Sequence, residues 1–169
     1  MKGRDGVSDL KMISSPKSLD MDKLRSLFSL EGLRIIVTGA SGGLGLGQLM
    51  LIAELGAEVF GLSRTGRPKE EVEIPSALTI HFLETDVTDP EEVKSVFNEI
   101  GEAGGIDVLV NNAGITIKKK AEDVSQQEWR KIHQVNVDAM FGCCQAGYPW
   151  LKKSHHIGRI INISSMSSY

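Results

Sequence analysis

Apolar residues in this chain follow two rhythms. Short continuous runs rich in β-branched residues recur at Arg34–Thr38, Ala57–Ser63, Leu78–Glu84, Asp107–Val110 and Arg159–Ser164. Runs of that length without a polar alternate face predict strands buried on both sides, as in a parallel sheet. Between them the spacing turns helical. Leu46 to Leu55 follows the first run directly. Val93, Val96, Phe97 and Ile100 form one stripe behind Asp89-Pro90-Glu91-Glu92, which reads as an N-cap, a proline at the first position and acids in the first turn. Ser125-Gln126-Gln127-Glu128 is a capping box, and the helix it opens is expected to run to Leu151, with room for a bend. Arg64–Ala77, with a glycine, two prolines and many charges, reads as mostly loop, with room for a poor helix. A short leading helix or arm is expected over Met21–Leu30, where Leu24, Leu27, Phe28 and Leu30 share a spacing. Strands that alternate with helices predict an α/β fold, a doubly wound parallel sheet of Rossmann type.

The first strand runs straight into Thr38-Gly39-Ala40-Ser41-Gly42-Gly43-Leu44-Gly45, and a helix follows. Strand, glycine turn and helix together can hold a pyrophosphate: glycine permits close backbone approach, and the helix N-terminus offers unpaired N–H groups. No lysine follows the glycines, so this is not the loop that cradles the β- and γ-phosphates of ATP or GTP. A dinucleotide is favoured. The end of the second strand then reads the adenosine ribose, with an acid for NAD or a cation for NADP. Here it reads Leu62-Ser63-Arg64-Thr65, with no acid. Arg64 suits a phosphate, or is a solvated loop arginine; NADP is preferred over NAD. Arg67 and Lys69 stand near enough to help or are surface charges. Two more strand ends carry polar groups, Glu84-Thr85-Asp86-Val87 and Asn111-Asn112-Ala113-Gly114, and ligands bind beyond the carboxyl ends of such strands.

Composition narrows the picture. With 169 residues the protein is long enough for one core, 41% of it is hydrophobic, and a net charge of -3 gives no nucleic-acid footprint. No apolar run approaches membrane-spanning length. Cys143 and Cys144 are adjacent, a poor disulfide geometry, and are read as reduced thiols of a cytoplasmic protein. Neither they nor His155 and His156 have metal-ligand spacing, so no metal is expected. Residues 1–20 show no periodicity and no apolar signal core, and are expected to be a disordered extension; residues 21–169 are expected to form the nucleotide-binding domain.

The glycine turn, Asp86-Val87, Asn111-Asn112-Ala113-Gly114, Asn136-Val137 and Ile161-Asn162-Ile163-Ser164-Ser165, in this order, resemble the short-chain dehydrogenases/reductases over about Leu30 to Tyr169. The resemblance implies that Gly39, Ser41, Gly42, Gly43, Leu44 and Gly45 hold the cofactor, Asp86 and Val87 its adenine, and that Asn112, Ala113 and Gly114 line the cleft. It implies that Asn136 positions a water in a proton relay and that Ser165 hydrogen-bonds the substrate carbonyl. Read without the family, Asn136 is a polar kink residue. The family's tyrosine, with a lysine four residues on, comes after that serine. Tyr148 and Lys152 have the spacing but precede it, and Tyr169 falls too early. The pair is therefore expected beyond Tyr169. The sequence then reads as truncated at its C-terminal side, with the sheet incomplete there and the last strand an open edge.

Two functions follow. One is an NADP-dependent oxidoreductase that interconverts a secondary alcohol and a ketone by hydride transfer, on a small-molecule substrate and without nucleic-acid or membrane partners. Within the family, the segment Asn111–Lys120 with Trp129, and the Ile-Asn-Ile-Ser-Ser-Met ending, look most like sugar-acid (gluconate-type) dehydrogenases and 3-oxoacyl reductases. Full-length members usually form homo-oligomers. The other is a non-catalytic fragment or interaction module that binds cofactor but lacks the tyrosine and lysine.

Overall fold

A computed structural model of the protein describes residues 21–69 and 71–165. The expected extension at residues 1–20 lies outside the described residues, as does the end of the expected domain from Met166 to Tyr169.

Five strands form one sheet in the order β3-β2-β1-β4-β5, every pairing parallel: β1 Arg34–Thr38, β2 Glu58–Ser63, β3 Ile80–Glu84, β4 Val108–Asn111 and β5 Arg159–Asn162. The register sets Ile36 beside Phe60 on one side and Leu109 on the other. Successive side chains point to opposite faces, so the unbroken apolar run of β1 serves two cores. Ile36, Phe60, Leu62 and Leu109 face one helix layer, with Val93, Phe97, Ile100, Cys143 and Leu151. Ile35, Val37, Val59, Val108 and Val110 face the other, with Leu49 and Ala53.

Helix α1 spans Met21–Phe28, α2 Gly43–Glu54 and α3 Pro90–Gly104. Helix α2 begins inside the glycine stretch, earlier than the apolar spacing from Leu46 suggests, because glycines carry no periodic signal. Asp89 caps α3 by accepting from the N–H groups of Glu91 at 2.9 Å and Glu92 at 3.2 Å. The long helix expected after Ser125 is three pieces: α4 Gln126–His133, a π-helical turn Gln134–Asp138, and α5 Ala139–Leu151. The capping box is formed, with both Ser125–Glu128 bonds present. Helices α3 and α5 pack so closely that a Cβ on Gly101 would lie 2.2 Å from the Trp150 indole.

Sheet order reverses between β1 and β4, and the helices that follow the two strands, α2 and α5, pack on opposite faces. A crevice at the carboxyl ends of the strands is the geometric result. At the other end, β5 is an edge strand whose residues are all exposed, with Ile160 40% and Ile161 45% accessible. Among the described residues, no helix is long and apolar enough to cross a membrane.

Candidate functional site

The crevice encloses about 500 Å³. Its floor is the junction of β1 and β4. The Thr38 hydroxyl accepts from the backbone N–H of Asn112 at 3.1 Å and of Ala113 at 3.0 Å. The Asn112 side chain returns the contact, donating Nδ2 to the Thr38 carbonyl at 2.9 Å. This stitching brings two loops into backbone contact, and only glycine fits between them. Gly39 has a φ of 71°, and a Cβ on it would stand 2.8 Å from Ala113 Cα. A Cβ on Gly45 would stand 2.3 Å from the Gly39 carbonyl oxygen and 2.5 Å from Asn112 Nδ2.

Helix α2 then opens onto the crevice with its N-terminus bare. Gly42 provides no side-chain cap, and the first turn carries no acid. The leading N–H groups and the positive end of the helix dipole remain for an anion. Arg64 stands at the end of β2, and Lys69 is tied to the turn by its backbone N–H, which donates to the Ser41 carbonyl at 2.8 Å.

Asp86 lies at the end of β3. Its Oδ1 accepts from the Thr88 N–H at 2.9 Å and from the Thr88 hydroxyl at 2.8 Å. The Thr88 N–H above all holds its carboxyl below the usual carboxylate range; burial pulls the other way, and the charges of Arg64 and Lys131 help lower it. The acid is thus a fixed acceptor with an ordered orientation.

Every candidate cofactor residue lines this one crevice: Gly39, Ser41, Gly42, Gly43, Leu44, Gly45, Arg64, Asp86, Val87, Asn112, Ala113 and Gly114. The two candidate catalytic residues do not. Asn136 lies in the π-helical turn with its side chain occupied. Its Oδ1 accepts from the Ile115 N–H and its Nδ2 donates to the Ile115 carbonyl, both at 2.9 Å. Ser165 follows β5, one strand beyond β4, at the same end of the sheet. Tyr148 is 59% exposed near the end of α5, which leads back towards the start of β5 and so to the opposite end of the sheet.

Several lining residues had no place among the sequence candidates. Thr88 was recoverable, since Asp-x-Thr is an Asx-turn pattern. Lys131 and Val135 were not: they come from α4 and the π-helical turn after it, and no residue spacing announces that turn. Among the described residues no group of three His, Cys, Asp or Glu side chains is placed to hold a metal.

The sequence matches the family model for short chain dehydrogenases over residues 34–169. A 2-dehydro-3-deoxy-D-gluconate 5-dehydrogenase of Bacillus subtilis is 38% identical over 153 residues, which cover 88% of this protein and 59% of the relative. A 3-oxoacyl-acyl-carrier-protein reductase of Vibrio cholerae is 34% identical over 139 residues, covering 82% of this protein and 57% of the relative. Among solved structures, one from Beutenbergia cavernae, provisionally assigned as an NAD(P) dependent gluconate 5-dehydrogenase with bound NADP at low occupancy, superposes with a TM-score of 0.69 at 30% identity. The match covers 84% of this protein and 57% of that one. The 169 residues therefore span less than three-fifths of the length of these relatives.

Proposed function

The protein belongs to the short-chain dehydrogenase family, and from that premise we propose that it carries the cofactor site of an NADP-dependent oxidoreductase interconverting a secondary alcohol and a ketone. The observation that carries the reading is the crevice itself. It joins a bare helix N-terminus, glycines with no room for a Cβ, an ordered acid and a cation at the end of β2. That donor set fits a dinucleotide.

In this reading the N–H groups at the start of α2 bind the pyrophosphate, and Gly39, Gly43 and Gly45 let it approach the backbone. Asp86 accepts from the adenine amino group, with Val87 against the ring. Arg64 pairs with the 2′-phosphate, which NAD lacks. Asn112, Ala113 and Gly114 form the wall towards the nicotinamide. When bound, the cofactor supplies or accepts the hydride. Ser165 donates its hydroxyl proton in a hydrogen bond to the substrate carbonyl oxygen. The Asn136 side chain holds Ile115, so any water it orders is held through its backbone carbonyl; its side chain sets where the wall stands. The substrate is a small carbonyl or alcohol. The relatives' names favour a sugar acid or an acyl ketone; the proposed location is the cytoplasm, and full-length family members usually form homo-oligomers.

The test titrates NADPH and NADH binding to the purified protein by fluorescence and follows NADPH oxidation with a panel of ketones. Binding tighter for NADPH, with turnover removed in Ser165→Ala, supports the oxidoreductase. Binding without turnover overturns the catalytic half of the reading for these residues and leaves the cofactor site, and no binding of either cofactor overturns the whole. Arg64→Ala is expected to weaken NADPH roughly tenfold or more while sparing NADH, because a charge-assisted contact is lost only where the phosphate exists. Equal losses for both cofactors would remove Arg64 from this role.

A further inference from the structure

We propose that Lys69 is a second reader of the 2′-phosphate, acting across the crevice mouth from Arg64; the inference rests on the NADP reading above. Arg64 alone is poorly placed to specify a dianion. It stands among three carboxylates, Glu84, Asp86 and Glu92, at the margin of the crevice that Arg64 and Asp86 also line. Its charge helps hold Asp86 ionised. A phosphate at Arg64 therefore meets carboxylates as well as a cation, and a further positive group makes the site favourable to a doubly charged ligand.

Lys69 meets that requirement by construction. The loop leaving β2 turns at Gly66, whose φ is 57° and whose Cα backs onto the Glu84 backbone. A Cβ there would stand 3.0 Å from the Glu84 N atom, so the turn is seated against β3. The backbone then returns over the glycine turn, where the Lys69 N–H donates to the Ser41 carbonyl at 2.8 Å. That bond places the lysine beside the glycine turn. Its stem lies along Gly42, with Cδ 3.9 Å from where a Cβ would be. Lys69 and Arg64 both line the crevice, joined there by Ser41. The backbone of Lys69 is fixed while its exposed ammonium end stays free to reach a phosphate, so the ordering cost of binding falls on one flexible side chain. Lys131 is the natural control: it lines the same crevice but comes from α4.

The test measures dissociation constants of NADP and NAD, and of 2′,5′-ADP and 5′-AMP, for wild type, Lys69→Met, Lys69→Arg and Lys131→Met. Lys69→Met keeps the stem and the main-chain bond to Ser41 while removing the charge. It is expected to weaken NADP and 2′,5′-ADP roughly tenfold, to leave NAD and 5′-AMP within about twofold, and to reduce the salt dependence of NADP binding. Lys69→Arg should restore most of the selectivity. A wild type that prefers NADP together with an unchanged NADP-to-NAD ratio in Lys69→Met overturns this inference and leaves the NADP reading standing. Equal loss for both dinucleotides also overturns it, since it assigns Lys69 to the shared pyrophosphate. A loss of selectivity in Lys131→Met as large as that in Lys69→Met overturns it as well, because general positive charge then suffices. A wild type without preference for NADP overturns the earlier reading, and this one with it.

Discussion

Gly45 and Gly47 lie two positions apart on the same helix and have opposite needs. Helix propensity alone favours alanine at either by about 0.5–1 kcal/mol. At Gly47 nothing lies within 4 Å of an added Cβ, so the propensity term decides and Gly47→Ala should stabilise the protein by that amount. At Gly45 the added carbon would stand 2.3 Å from the Gly39 carbonyl oxygen, a backbone atom pinned by the Thr38–Asn112 bonds. Overpacking of this kind costs about 1–3 kcal/mol, more than propensity returns. Gly45→Ala should therefore lower the urea midpoint and weaken NADPH roughly tenfold, since relieving the clash displaces the turn. A Gly45→Ala protein with wild-type cofactor affinity would show that the turn tolerates a side chain. The glycine pattern was legible in the sequence because close backbone approach admits one residue type. Thr38 was not, because its value lies in accepting two N–H groups from a strand end that is distant in sequence.

Elements were legible where their signal is local and lost where it is not. The Asp89 cap and the Ser125–Glu128 box each close within one turn, and both formed as the residue order suggests. The π-helical turn inside the long helix is different. It adds a residue to the ladder so that Asn136 meets the Ile115 backbone, a partner in another element. The start of α4 offers a pH test. Lys119 above all, and then the Ser125 N–H and hydroxyl, lower Glu128 to about 2 from 4.5. A carboxyl with a depressed folded value stabilises the native state above its unfolded value. Its contribution is therefore complete above about 4.5 and fades as pH falls towards 2. Expected is a urea-midpoint gap between wild type and Glu128→Gln that is constant near neutral pH and narrows through that acid window. A gap that widens on acidification would contradict the assignment. Because Glu128 is solvent-facing, the effect should also weaken with added salt.

At the scale of the whole molecule, the sheet has two ends with different tasks. The carboxyl end keeps helix N–H groups and glycines open, which leaves binding capacity rather than stability. The amino end is sealed by Arg34, which the hydrophobic pattern marks only as the first residue of a strand. Its backbone N–H donates to Asp107 Oδ2 at 2.9 Å, its Nε to the Gly105 carbonyl at 3.0 Å, and an Nη to the Ile100 carbonyl at 3.2 Å. Its guanidinium pairs with Glu58 and lies 4.8 Å over the Phe60 ring. One side chain thus joins β1, β2 and the end of α3, where it donates to the carbonyl of the C-cap residue Gly105. Arg34→Met keeps part of the apolar stem but leaves Glu58 with His81 alone and removes the side-chain donor from the Gly105 carbonyl. Leaving partly buried polar groups unpaired costs about 1–3 kcal/mol, so the unfolding free energy should drop by that amount. The ratio of NADPH to NADH dissociation constants should stay at the wild-type value, because Arg64 and the glycine turn sit at the far end of β1 and β2. Chemical denaturation and cofactor titration on the same protein check both halves. A folded Arg34→Met protein with altered cofactor selectivity would mean that the two ends of the sheet are coupled, and stability and binding could not then be assigned to opposite edges of the fold.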